Sequence, residues 1–476
     1  MKITSALTRL LLLALVLVAC SNAVTEQADD VVEDPAPAED APEESPEDSD
    51  QDGPADSDDA TSDDATSDDG ESGDSGDADA DSTDDSTDDA PTTSAPEIPA
   101  AIAEGLPGEL LLLDGNGQVT VLAPDGTGAQ EVSDSAEQNS QPTWSTSGDR
   151  VAWSSLGPDG PTLSISNSDG SNVQTLDVPA PAFYLSWSPN EEWIGGLRPA
   201  AGGMEMFIAN SSLTDTRVIS MAQPFYFDWV SDEALVASLL NQFIVDISTD
   251  AAIDPLSRPL QRPLGAFQAP AILPDGDILA ALVDGQNTLT RLTGNQGAVI
   301  GTAEGPMFIS ASPDGTQVAV LVPPAGAPQP QPDSQVIAFQ FDTPVDLESG
   351  QVTIIDLVTG DVEMRPEEDI VSVQWSPDGD TLAMLQAGAQ GGQWLFDTET
   401  DLIEGARFTP SQRLAQRYLP FFDQYNLSST WWSPDGEAIV FSGSVDGQAG
   451  VFVDRVFDDE GPAWVSDGDI AFWSPN

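Results

Sequence analysis

Thr430–Gly443 reads TWWSPDGEAIVFSG, and nearly the same phrase returns as QWSPDGDTLAML from Gln374, SASPDGTQVAVL from Ser310 and AILPDGDILAAL from Ala271. An apolar stretch ends at or near Trp-Ser, Pro-Asp-Gly supplies a turn, and a second apolar stretch follows. Pro presets φ and Gly accepts positive φ, so each phrase predicts a β-hairpin. With Trp432 as register mark, the equivalent positions are Trp144, Trp187, Trp229, Ile272, Ala311, Trp375, Trp432 and Trp473, at intervals of 43, 42, 43, 39, 64, 57 and 41 residues.

A period near 42 with four short strands per unit and almost no helical periodicity is that of propeller blades. The chain is therefore expected to be all-β, a β-propeller of eight four-stranded blades. Seven blades is the alternative, with 249–276 as a degenerate unit whose fourth strand is hard to find. Residues 109–135 supply three strands before the first mark and the chain stops just after the last, so the C-terminal strand is expected to join the N-terminal strands. That pairing would remove an exposed strand edge.

The Trp-Ser-Pro-Asp-Gly phrase resembles the repeat of TolB-type β-propellers, also found in WD40-like, prolyl oligopeptidase-type and tricorn-type propeller domains. The resemblance covers nearly all of 105–476. It implies a platform for binding envelope proteins or peptides; fold alone does not fix function. In the related proteases a separate hydrolase domain carries Gly-x-Ser-x-Gly and a His, and this chain has neither.

Composition narrows the function further. The formal net charge is −69, from 82 Asp or Glu against 13 Lys or Arg. Such a surface repels phosphate backbones, so no nucleic-acid partner is expected. There is no His, which removes the commonest general base and metal ligand together. No catalytic residues, no metal site and no cofactor are expected, calcium on the Asp-Gly turns being the weak exception. The alternative is a His-independent glycan lyase or carboxylate-dependent hydrolase.

The N-terminus, MKITSALTRLLLLALVLVAC, has a basic start, a short apolar run and a small residue before Cys20, the single cysteine. It has the shape of a secretory signal, and Leu17–Cys20 resembles the bacterial lipobox. Residues 1–19 are expected to be a lipoprotein signal peptide with Cys20 as the lipidated residue. Residues 20–104, acidic and without aromatics, are expected to be a disordered tether. The propeller at 105–476 would then be extracytoplasmic, monomeric and lipid-anchored to the cell membrane or the outer membrane. A sensor or accessory role in an envelope transport system is a further alternative.

Two places break the period. The insertion at 322–350 is Pro-rich and reads as a loop over a face or rim. The insertion at 408–430 changes composition sharply: Thr409 and Pro410 read as the start of a helix that Pro420 stops. It carries Arg413, Arg417, Tyr418, Phe422 and Tyr425, with Arg407 and Phe421 beside them. Arg among aromatics is the chemistry of interaction hot spots. These five residues are the candidate binding set, for an envelope protein or peptide first and a glycan second. Binding requires Tyr418, Phe422 and Tyr425 to be partly exposed; the competing reading is that they fill space between blades. The six Trp marks are read as packing rather than as a ligand-stacking ring.

Overall fold

A computed structural model describes residues 105–476 except 135–136, 202, 223–225, 239–240, 248–258, 264–267, 284–286, 295, 323–338, 348–350 and 389–390. These residues belong to a unit spanning Ile98–Asn476. The expected signal 1–19, Cys20 and the acidic segment to 104 lie outside the described residues, as does most of the 322–350 insertion.

The unit is a succession of antiparallel sheets, each led by the strand that carries a mark. The first is Gln138–Trp144, Arg150–Gly157, Gly160–Asn167 and Gln174–Asp177. Tyr184–Trp187, Trp193–Ala200, Gly203–Asn210 and Thr216–Ala222 form the second. The third is Tyr226–Ser231, Ala234–Ser238, Asn241–Asp246 and Pro259–Pro263. Pro259–Pro263 is the fourth strand that the sequence leaves hard to find.

Ala271–Ile272, Ile278–Val283, Asn287–Thr293 and Gln296–Ala303 follow, with Phe339–Leu347 added in parallel beside the last. Part of the 322–350 insertion is thus a strand and not only a loop. Its Phe-, Thr- and Val-containing sequence suits a strand, and the edge beside it offers unpaired backbone groups. Phe308–Ala311, Gln317–Leu321, Val352–Asp356 and Val362–Met364 come next.

The largest sheet holds seven strands in two parts. Ile370–Trp375, Thr381–Gly388, Gly391–Thr398 and Leu402–Pro410 are one part; Ala438–Val445, Gln448–Arg455 and Ala463–Ser466 are the other. The strand pairing between them is short, Thr409 and Pro410 lying opposite Ser444 and Gly443. Trp432 leads the second part through a bridge to Ile439. Ile470–Trp473 pairs with Leu110–Leu113, which continues through Val119–Leu122 to Gln130–Glu131. The first and last strands of the described chain therefore share one sheet, Leu110 lying opposite Trp473.

The repeated phrase has a local reason. Ser433 donates its hydroxyl to Asp435 and accepts from the Ala438 N–H, while Gly436 takes φ of +71° and closes the turn onto the Ser433 carbonyl. Ser376 with Asp378 and Thr381, and Ser312 with Asp314 and Gln317, repeat the arrangement. The Asp carboxylates are thus engaged as turn acceptors.

The marks connect one sheet to the next. The Trp229 indole N–H donates to the Ser186 carbonyl (3.2 Å), Trp375 to Ser310 (3.0 Å), Trp432 to Gln374 (3.1 Å) and Trp144 to Phe472 (3.4 Å). Each acceptor is the residue just before the mark of the neighbouring leading strand. All six Trp marks are buried, in line with the packing reading; burying such a ring removes roughly 150–250 Å² from water.

Candidate functional site

The 408–430 insertion folds as a compact helical segment. Thr409 and Pro410 do not cap it. They end the Leu402–Pro410 strand, and Ser411 takes the capping position, its hydroxyl accepting from the Leu414 N–H. A π-helical turn, Leu414–Tyr418, passes into a 3₁₀ turn, Leu419–Phe421, and an α-turn, Phe422–Tyr425. Pro420 changes the winding instead of stopping it, because a missing N–H costs nothing in the first turn of a new helical piece.

The three rings expected to be partly exposed are buried: Tyr418 and Phe422 are 2% exposed and Tyr425 is 8%. They do not line an open aromatic surface. Tyr418 packs on Phe472 and Tyr425, Tyr425 meets Tyr184 edge-on, and Phe422 packs on Phe308. The Tyr425 hydroxyl donates to the Phe183 carbonyl, and the Gln424 amide exchanges two hydrogen bonds with the Phe227 backbone. Asn426 donates to Val373, and the Thr143 hydroxyl donates to the Ser428 carbonyl. One short segment thus touches the leading strand, or the residues just before it, of every other sheet. Segments converging on a shared centre must be apolar there and must satisfy many backbone groups, which explains the mixture of rings and amides.

The arginines are placed differently. Arg413 lies 3.7 Å from the Asp469 carboxylate and is mostly covered. Arg417 is exposed, as is the neighbouring Phe421 at 40%. The five candidate residues are close in sequence, but their rings face the core while Arg417 faces outward.

A cavity of about 440 Å³ opens beside the segment, lined by Asp228, Trp229, Ile272, Ala311, Asp423 and Asn426 among others. Its position follows from the repeat. Ile272 and Ala311 are the two register positions that lack Trp, and both are only half-buried. Smaller side chains there leave unfilled the space that an indole takes elsewhere. Pro274 and Pro313, from the turns of the same two units, complete the rim.

Two carboxylates meet this cavity. Asp423 is 3% exposed; its Oδ2 accepts from the Ala269 N–H at 2.8 Å, and its Oδ1 has no partner. Burial pushes it up from 3.8 to about 7. Asp228 accepts from the Trp229 N–H at 2.8 Å and is also pushed up to about 7 by its depth in the protein, although it keeps some surface toward the cavity. Neither forms an ion pair among the described residues. An unpartnered buried carboxylate costs stability, and its retention marks a candidate site. Sequence reasoning missed both acids. The available signal was the loss of Trp at Ile272 and Ala311, together with Asp228 as the only acid immediately before a mark.

Among the described residues no group of three or more His, Cys, Asp or Glu is gathered to hold a metal ion, and no helix is long and apolar enough to cross a membrane.

No protein-family model matches the sequence, and no curated protein matches it significantly. Solved structures do match in fold. The dihydro-heme d1 dehydrogenase NirN is similar with a TM-score of 0.50 and 12% identity, over 78% of this chain and 76% of that one. TolB from Acinetobacter baumannii is similar with a TM-score of 0.36 and 14% identity, over 70% and 68%. The β-propeller domain of the Trilobed protease from Pyrococcus furiosus gives 0.43 and 11%, over 70% and 97%. The TolB-like repeat and the sheet succession together define a β-propeller fold.

Proposed function

We propose that the chain is a lipid-anchored, extracytoplasmic β-propeller of eight blades that binds a protein or peptide of the bacterial envelope. The pairing of Ile470–Trp473 with Leu110–Leu113, and the Trp144 bond to Phe472 beside it, support closure by the C-terminal strand. The sequence Leu17–Cys20 supports lipidation, and the acidic stretch to 104 supports a tether that holds the propeller off the membrane. A net charge of −69 opposes nucleic-acid binding. The protein acts by recognition and not by catalysis, with a glycan as the second ligand class.

The observation that carries the reading is the cavity beside the helical segment. It is concave, within the usual 300–1,000 Å³ range of ligand sites, and its lining combines apolar side chains with polar groups that contribute the larger share of its exposed surface. The buried rings of the insertion support the fold, and recognition falls to the cavity mouth. The test is in vivo photo-crosslinking from Pro313 at the rim. A discrete adduct with an envelope protein or peptide, lost in Ala311→Trp, supports the reading; a uniform background unaffected by Ala311→Trp contradicts it.

A further inference from the structure

We infer that the cavity receives an alkylammonium group, with Asp228 and Asp423 holding the charge and the walls at Ile272, Ala311 and Ile309 holding the methylenes. The inference rests on the binding reading above and names the chemistry recognised there.

Asp423 Oδ1 is a buried acceptor with no donor, and Asp423 is one of the residues lining the cavity. Its fellow oxygen is held by the Ala269 N–H, so the carboxylate cannot turn away to satisfy both. Asp228 is held by the Trp229 N–H and by the Ile272 backbone. The two acids come from different elements, the helical segment and the Tyr226–Ser231 strand. A compact ammonium with three rotatable donors suits carboxylates presented from separate walls, whereas the planar guanidinium fork suits a single carboxylate met face to face.

A divalent cation fits this donor set poorly. Calcium takes six to eight oxygens, and zinc is usually held by His or Cys; Asp228 and Asp423 are the two carboxylates lining this cavity, and the chain has no His. The apolar side chains among the lining, Ile272, Ile309 and Ala311, match the stem of a lysine-like cation. The strongly negative protein also raises the local concentration of cations. The titratable neighbours do not compete: Tyr184 near Asp228 and Tyr226 near Asp423 are phenols that burial pushes further up, so they stay neutral.

Titration calorimetry of the full chain at about 0.15 M salt tests the inference, with Nα-acetyl-lysine N-methylamide and cadaverine as probes and Nα,Nε-diacetyl-lysine N-methylamide as control. At least one amine is expected to bind with unit stoichiometry, and the control is not. Affinity should rise at least tenfold from pH 6 to pH 8 and fall at least tenfold in Asp423→Asn. The acidic segment is present in both proteins, so its diffuse attraction for cations cancels. Binding of the lysine amide alone assigns the group to a peptide side chain; binding of cadaverine alone assigns it to a free amine. If Asp423→Asn does not fold, Asp228→Asn takes its place. Absence of binding by both amines, equal binding by the acetylated control, or undiminished binding by a folded variant overturns the inference. These titrations contain no partner protein, so their failure is distinguishable from a failure to crosslink one.

Discussion

Trp144 donates its indole N–H to the carbonyl oxygen of Phe472, 3.4 Å away and 328 residues distant in sequence. The bond repeats, between the two ends of the described chain, what Trp375 does toward Ser310 and Trp432 toward Gln374. The pairing of the first and last described strands is thus accompanied by the same bond that joins sheets at Trp229, Trp375 and Trp432, and one such hydrogen bond contributes about 0.5–1.5 kcal/mol net.

Deleting Ile470–Asn476 should expose the Leu110–Leu113 strand, which is buried along its whole length. Aggregation or loss of a cooperative melt is expected. Size-exclusion chromatography and thermal melting check it. A monomeric truncation with the parent Tm contradicts closure.

The insertion's rings should behave as core. Tyr418→Ala is expected to cost about 3–5 kcal/mol, as for other large aromatics removed from a core, and Tyr425→Phe about 1 kcal/mol for the bond to the Phe183 carbonyl. Arg417→Ala, on the exposed side, should change stability by less than about 0.5 kcal/mol. Denaturant unfolding separates them; equal small effects at all three positions contradict the packing role.

The repeat, its marks and the pairing of the chain ends were legible because Trp-Ser-Pro-Asp-Gly carries its own turn chemistry at a fixed period. The burial of Tyr418, Phe422 and Tyr425 was not, because Arg among aromatics is common to binding surfaces and to segments that seal a core. Sequence records the composition and not the direction each ring faces. The start of the helix moved from Thr409 to Ser411 because pairing with Gly443 and Ser444 holds Thr409 and Pro410 in a strand. The cavity was legible only as an absence, in Ile272 and Ala311 where Trp is the rule.

Stability should fall as pH rises from about 5 to about 7.5. Asp228 and Asp423 titrate near 7 in the folded protein against an ordinary 3.8, so the folded state binds their protons more tightly than the unfolded state. The stability this supplies is complete below the ordinary value, is lost as pH climbs through about 7, and is flat above. The limiting slope is about 1.4 kcal/mol per pH unit for each group. Asp454, raised to about 6, acts in the same direction. Asp423→Asn should raise Tm at pH 7.5 and flatten the profile relative to the parent. Parallel profiles for the two proteins contradict the assignment.

Cys20→Ser should move the protein from the membrane fraction to the soluble fraction or leave an unprocessed precursor. Detergent-phase partitioning and mass spectrometry of the mature N-terminus check this. An unchanged distribution with no lipid on the parent contradicts the anchor.

Binding in the space left by the missing indoles is tested most directly by restoring one. Ala311→Trp places at a register position the side chain that six other units already accommodate. Amine titration and thermal melting of this variant should give a folded protein, with Tm at or above the parent value and affinity reduced at least tenfold. A folded Ala311→Trp protein that binds as tightly as the parent contradicts the claim that recognition occurs in the cavity.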